Sequence, residues 1–339
     1  MKLISLATAS VNQTPLDWSG NLRRIIECIR TAKSNKSSIL CLPELAITGY
    51  GCEDQFLARD TTDRALKSLE KIIPETRGIN VAVGLPLRYQ NTIYNTVAMV
   101  SDGKLLGFYA KQNLAGDGLH YETRWFSAWP AGECVELTVL GMRVLLGDQF
   151  FDIGDLRIGF EICEDAWVAD RPGRRQAQFG VDIILNPSAS HFAFAKQQTR
   201  EQFVREGSRA FGVAYVYANL LGNESGRAIY DGGSMIASNG QVVAQGPRLS
   251  FDEARVTTAI VDIDLNRLAQ AKSVARQTSL QGAAVVEAEF IYPEAVNSQN
   301  TTPPDPPLIW SKEVEFTRAV ALGLFDYMRK SRSNGFVVS

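Results

Sequence analysis

Three places in the sequence set a reactive side chain at the abrupt end of an apolar run: Glu44 after Ser38–Pro43, Lys111 after Lys104–Ala110, and Cys163 after Leu156–Ile162. A free thiol with pKa ~8.5 is only a few per cent thiolate at neutral pH, so a cysteine nucleophile needs a base or a cation beside it. A carboxylate and an amine supply those two services. In α/β sheets ligands bind at the carboxyl ends of strands, so three such ends can converge on one crevice. Taken singly, each has a plainer explanation. A Glu or Lys closing a strand is usually a solvated end, and a Cys in an apolar context is usually packing. The combination carries the weight.

The elements around these residues alternate. Residues 2 to 9 read as a strand, and Leu22, Ile25, Ile26 and Ile29 then recur at helical spacing behind Asp17 and Ser19. The solid apolar run at 38–44 suits a sheet covered on both faces. A polar helix over 62–73 leads to a strand at 81–85 that Pro86 ends. Residues 92–100 and 104–110 flank Ser101-Asp102-Gly103 as a hairpin. After an aromatic loop (121–129) come a strand at 156–162, a helix at 173–179, a strand at 181–185, a helix at 197–211 and a strand at 213–218. A second hairpin spans 234–245 around Ser238-Asn239-Gly240 and echoes the first, suggesting two similar halves. The strand 258–263 closes a first domain, expected over 1–270. An extension and the Pro-rich linker Asn297–Pro307 fill 271–310. In 311–339, Phe316, Val320, Leu324, Tyr327 and Met328 form the stripe of a helix, and Gly335–Ser339 starts a strand. A helix and strand with nothing to pack against read as the start of a further domain; docking back on the main body or on a partner subunit is the alternative.

Composition narrows the class. The chain has 339 residues, 45% hydrophobic and 21% charged, with 35 Lys and Arg against 37 Asp and Glu. A net charge of −2 leaves no electrostatic footprint for nucleic acid or an anionic membrane, so a small-molecule substrate is expected. Ala7-Thr8-Ala9 matches a signal-cleavage pattern, but the preceding run is too short, and no stretch approaches the ~18 apolar residues of a membrane span. Five cysteines, an odd count with no CxxC pair, point to a reducing compartment and a cytoplasmic protein. Two histidines, His120 and His191, rule out a site of several His ligands, and no metal site is expected.

Leu42-Pro43-Glu44-Leu45 with Thr48-Gly49-Tyr50, Tyr109-Ala110-Lys111, and Gly159–Trp167 around Cys163-Glu164-Asp165 resemble the Glu, Lys and Cys motifs of the nitrilase superfamily of C–N hydrolases. Lys111–Gly118, Tyr121-Glu122, Arg124–Phe126, Tyr230–Ile236 and Phe325–Ser331 are similar to the amino-terminal glutaminase domain of glutamine-dependent NAD synthetases. In that family a Ser-Gly-Gly-x-Asp-Ser pyrophosphate loop follows, which this sequence lacks. The resemblance implies an αββα sandwich, a common tendency to homo-oligomers, and glutamine as substrate. It also implies a synthetase domain as the partner that takes up ammonia; ATP and Mg would serve only that absent domain, with no cofactor for glutamine hydrolysis.

By the same resemblance Cys163 is the nucleophile and Glu44 its base. Lys111, with the N–H of Glu164, stabilises the oxyanion, each good donor being worth ~3 kcal/mol. Glu122 positions Lys111 or the water, unless it is a surface carboxylate. Tyr50, Tyr121, Glu164, Ser188 and Ser190 are candidate substrate contacts; Tyr50 can instead be core and Ser188 a strand-end cap. Arg200 and Arg205 read as surface pairs, and Glu44 makes His191 redundant as a base. A free-standing amidase for another small amide, and a catalytically silent oligomerisation or regulatory module, are the competing readings.

Overall fold

The computed structural model describes residues 1–116, 118–224, 226–273, 282–295 and 310–338. Along its first half it forms β1 (Leu3–Val11), α1 (Trp18–Ser34), β2 (Ile39–Cys41), α2 (Arg59–Ile72), β3 (Asn80–Tyr89), β4 (Thr92–Ser101), β5 (Lys104–Ala110), β6 (Cys134–Val139) and β7 (Met142–Gly147). Next come β8 (Phe150–Ile153), β9 (Leu156–Phe160), α3 (Pro172–Gln178), β10 (Ile183–Ser188), α4 (Lys196–Phe211), β11 (Ala214–Glu224) and β12 (Ala228–Asp231). The last are β13 (Met235–Ser238), β14 (Gln241–Gln245), β15 (Ala254–Asp262), α5 (Ile263–Lys272), β16 (Val285–Ala288) and α6 (Lys312–Ser331).

β1 shows how the layers arise. Ile4 and Leu6 turn to one core while Ala7, Ala9 and Val11 turn to another, the period-two alternation of a strand covered on both faces. One sheet runs β15-β1-β2-β3-β4-β5-β7-β6, and the other contains β13-β11-β10-β9-β8-β16. They join where β1 meets β11, through Ser10 with Asn219 and Val11 with Leu220. Ile4, Ile39, Val97 and Tyr109 of the first sheet pack against Phe160, Ile183, Val216 and Ile236 of the second. The outer face of the first is covered by Ile25 and Ile29 of α1 and Leu69 of α2; that of the second by Phe203 and Val204 of α4. The result is the nitrilase-type αββα sandwich.

Both hairpins form, with positive φ at Asp102 and Gly103 and at Asn239 and Gly240. Asp17 caps α1 by accepting from the Gly20 N–H (3.0 Å). Other expectations are corrected. Pro86 does not end its strand, because β3 continues to Tyr89 and pairs Pro86 with Asn95. Ala82 and Gly84 direct their carbonyls to Leu42 and Ile47, on the side away from β4. Pro86 shares that side beyond the end of β2, so no ladder donor is lost there. The extension after 270 contributes β16, parallel to β8. The linker 297–307 lies outside the described residues.

α6 forms as expected from Ser311, but the expected apolar stripe faces outward: Phe316, Leu324 and Tyr327 are about half exposed, while Ala319, Leu322, Gly323 and Asp326 are buried. The helix therefore does have something to pack against, seating Ala319 and Leu322 beside Leu221 and Leu249, with Gly323 and one carboxylate alongside. Residues 333–338 form no strand, and Val337 and Val338 are almost fully exposed. Among the described residues no helix is long and apolar enough to cross a membrane.

Candidate active site

The Glu44 segment leaves β2 through a turn that approaches β3 closely. A Cβ on Gly84 would lie 2.4 Å from Leu45 N and 2.7 Å from Pro43 O, so only glycine admits this approach. Lys111 follows β5 directly, its N–H bonded to Asn95 O of β4 (2.9 Å). Glu122 opens the short 3-10 turn Glu122–Arg124. These elements bring wholly buried groups together: Lys111 Nζ donates to Glu44 Oε1 (2.6 Å) and to Glu122 Oε1 (2.9 Å). Asn95 Nδ2 donates to the same two oxygens, at 2.7 and 3.1 Å. The Ala115 N–H fixes Glu122 Oε2 at 2.7 Å, and Glu44 Oε2 is buried with no hydrogen-bond partner among the described residues. Glu122 is thus an inward partner of Lys111 and not a surface carboxylate.

One cation faces two carboxylates. Burial pushes the Glu44 carboxyl above the ordinary range; the Lys111 charge opposes this and the Glu122 charge adds to it. Burial works against the Lys111 ammonium, but Glu122 and Glu44 outweigh it and hold it well above its usual value. The amine stays charged at neutral pH.

Cys163 starts the turn Cys163–Ala166 just after β9, with φ of +47°. A non-glycine residue in the left-handed region is strained, and this strand-to-turn elbow lifts the side chain from the sheet. Asp165 holds the elbow. Its Oδ2 accepts from Ile162 N (2.9 Å), and its Oδ1 accepts from Asn113 N (2.8 Å) and Gln112 N (3.2 Å), tying the cysteine turn to the segment after Lys111. Burial pushes the Asp165 carboxyl up to about 7 against these donors. It also pushes the Cys163 thiol up, with Glu44 adding and Lys111 opposing. The sulfur thus lies within the electrostatic reach of the Glu44 carboxyl and the Lys111 ammonium.

The remaining predicted contacts divide. Tyr50 is buried, its hydroxyl has no hydrogen-bond partner among the described residues, and its ring meets His120 edge-on at 5.1 Å. A small cavity of ≈ 30 Å³ lies between Tyr50, His120 and Tyr230, room for about one water. Ser188 is buried with its hydroxyl on Asn186 Oδ1 (2.6 Å), and Ser190 Oγ accepts from Arg200 Nε (3.2 Å). Glu164 sits half-buried in the cysteine turn. Tyr121 is 58% exposed and is not brought in with the others.

Arg200 corrects the surface-pair expectation. It is wholly buried and bonded to Asp231 at 2.6 Å, whereas Arg205 is exposed, 3.7 Å from Glu201. His191 lies 2.8 Å from His120 and 3.2 Å from Lys196 Nζ. Asn95 was missed. An Asn inside the apolar run Ile93–Val100 is its signal, because that residue is depleted in strands. Glu224, which accepts from the Tyr50 N–H (2.9 Å), carries no such mark.

The sandwich brings a carboxylate and an amine from one sheet within electrostatic reach of a thiol that follows a strand of the other. The carbon–nitrogen hydrolase profile matches residues 5–273, and the chain belongs to that family. Within it, the chain is similar to glutamine-dependent NAD(+) synthetases: 33% identical to that of Oryza sativa subsp. indica and 32% to that of Homo sapiens. These alignments cover 100% and 99% of this chain but 48% and 50% of the relatives, so it spans about half their length. The crystal structure of a glutamine-dependent NAD(+) synthetase from Cytophaga hutchinsonii superposes with a TM-score of 0.81 at 40% identity, over 99% of this chain and 48% of that one. An amidase from Nesterenkonia sp. AN1 shares the fold, with a TM-score of 0.62 at 20% identity, over 80% of this chain and 94% of that one. The chain is a carbon–nitrogen hydrolase.

Proposed function

We propose that this chain hydrolyses the side-chain amide of glutamine. Cys163 Sγ attacks the amide carbon as its proton passes to Glu44, whose free Oε2 is the oxygen available to take it. The Lys111 ammonium and the Glu164 N–H stabilise the oxyanion. Collapse returns the proton to the leaving nitrogen, breaks the C–N bond and releases ammonia, leaving a glutamyl thioester. Water, deprotonated by Glu44, then frees glutamate and the thiol. Glu122 fixes Lys111. Tyr50, Ser188, Ser190 and Glu164 are the contacts proposed for the rest of the substrate.

The observation that carries this reading is the fully buried ammonium shared by two carboxylates, with the Cys163 thiol within their electrostatic reach on an elbow of positive φ. That arrangement is costly as mere packing, because burying three ionisable groups costs more than apolar side chains would. The identity to synthetases suggests that the ammonia serves an ATP- and Mg-dependent synthetase domain converting deamido-NAD to NAD(+). In that view 1–270 is the amidohydrolase domain, 271–310 the extension and linker, and 311–339 the lead into the synthetase. A cytoplasmic setting and a homo-oligomer belong to the same proposal. The test is release of glutamate and ammonia from glutamine, with Cys163→Ala as control and a panel of other small amides. Turnover of another amide in preference to glutamine would favour a free-standing amidase, the reading supported by the chain's cover of 94% of the Nesterenkonia enzyme. Equal rates for parent and Cys163→Ala would overturn both.

A further inference from the structure

The site chemistry leaves the charge buried beneath α6 without a role. Asp326, wholly buried, accepts from Asn12 Nδ2 (2.7 Å) and from the Asn223 N–H (2.8 Å). A Cβ on neighbouring Gly222 would stand 2.1 Å from Asp326 Oδ2, so the backbone is shaped to receive this carboxylate. One turn on, Lys330 Nζ donates to Gln13 O (2.8 Å) and Asn223 O (2.7 Å). The next residue is Glu224, which accepts from the N–H groups of Tyr50 (2.9 Å) and Gly51 (2.6 Å).

A second chain leaves the other end of the helix. Glu315 accepts from Arg248 (2.7 Å), Arg248 donates to Asp231 (2.9 Å), and Asp231 accepts from Arg200 (2.6 Å). Arg200 donates to Ser190 Oγ (3.2 Å) and His191 O (2.8 Å). The two chains end on two loops, at the Tyr50–Gly51 backbone and at Ser190–His191, and Tyr50 and Arg200 each lie within electrostatic reach of Cys163. Apolar side chains would dock a helix at least as well and more cheaply. Hydrogen bonds between buried charges add direction, fixing the helix at one register and passing that register to the loops.

We propose that α6 is the positioning element of the site, with Glu224 and Arg200 as positioning residues that set the Tyr50 and Ser190–His191 walls for the reaction proposed above, on which this inference rests. A shift of α6 then changes substrate binding and thiol access without any contact between the helix and the substrate.

The test uses the full chain carrying Lys330→Met or Arg248→Met, each at the helix end of one pathway. Three quantities are read: thermal melting, KM and kcat for glutamine, and the rate of Cys163 alkylation by iodoacetamide. In a folded variant KM is expected to rise about tenfold, as for loss of one charge-assisted hydrogen bond, with a smaller change in kcat. Alkylation changes threefold or more, and Lys330→Arg or Arg248→Lys restores much of each effect. Where a Met variant does not fold, Glu315→Gln asks the same question with little change of shape. KM and alkylation both within threefold of the parent in folded variants would overturn the proposal. If the parent does not turn over glutamine, the substrate reading fails, and alkylation alone, at the same threshold, decides the positioning role.

Discussion

On one side of Cys163, Glu44, Lys111 and Asn95 come from strands or the turn just past a strand end, and bond to one another and to Glu122 within a single buried cluster. On the other, the loop residues Tyr50 and Ser190 are held by side chains of other elements, Glu224 and Asn219 of β11 and Arg200 of α4. The first side is fixed by the sheet itself and the second by side chains reaching across. Reactive groups that must not move therefore sit on the sheet, while the wall expected to fit a substrate depends on adjustable tertiary bonds.

The largest expected effect removes the group both sides serve. Cys163→Ala should lower amide hydrolysis by at least ~10⁴-fold while leaving the melting temperature nearly unchanged. Lys111→Met comes next and belongs to the sheet side alone. Loss of an oxyanion donor should cost ~10²–10³ in kcat, and two carboxylates left buried without their cation should lower stability by about 3–5 kcal/mol in chemical denaturation. Ser190→Ala on the adjustable side should change stability by only about 1 kcal/mol, since Arg200 keeps its Asp231 and backbone partners. Equal stability losses in the two variants would erase the distinction.

A pH series sharpens it further. In the proposed mechanism the base form of Glu44 is the active one, so a carboxyl pushed up by burial should move the acid limb of kcat/KM above the ordinary value of 4.5. Stability runs the opposite way. A raised folded pKa means that the folded chain holds more protons than the unfolded one between the ordinary value and the raised one, so stability falls as pH rises through that window. Asp165 and Glu224, both pushed up to about 7, act in the same direction. Denaturation at pH 5 and pH 7.5 should show the parent losing stability, and Glu44→Gln losing less. An acid limb near 4.5, or stability rising across the window, would mean these carboxyls stay ionised in the fold.

This contrast also explains what the sequence disclosed. Glu44, Lys111 and Cys163 were legible because strand hydrophobicity stops sharply at each, and the hairpin turns because positive φ selects Asp-Gly and Asn-Gly. Asn95 was readable in hindsight from a polar residue inside an apolar run. Arg200 and Glu224 were not, since surface-type residues on a polar helix and at a strand end become buried only through partners 31 and 174 residues away. The α6 stripe misled for a related reason. Periodicity identifies a helix, but the buried face is Ala319, Leu322, Gly323 and Asp326, because the backbone at Gly222 receives a carboxylate and Leu221 and Leu249 receive Leu322.

The smallest effect separates the two tyrosines that resemblance placed together. A buried hydroxyl without a partner costs about 1–3 kcal/mol to desolvate, so Tyr50→Phe should leave stability unchanged or slightly raised. If that hydroxyl meets substrate, the same change should raise KM severalfold with little effect on kcat, a loss of uniform binding. Tyr121 projects into solvent, and Tyr121→Phe should move neither quantity. A Tyr50→Phe enzyme with greater stability and an unaltered KM would show that the orphaned hydroxyl is only a cost of building the wall. A KM effect at Tyr121 alone would require its segment to fold inward when substrate binds.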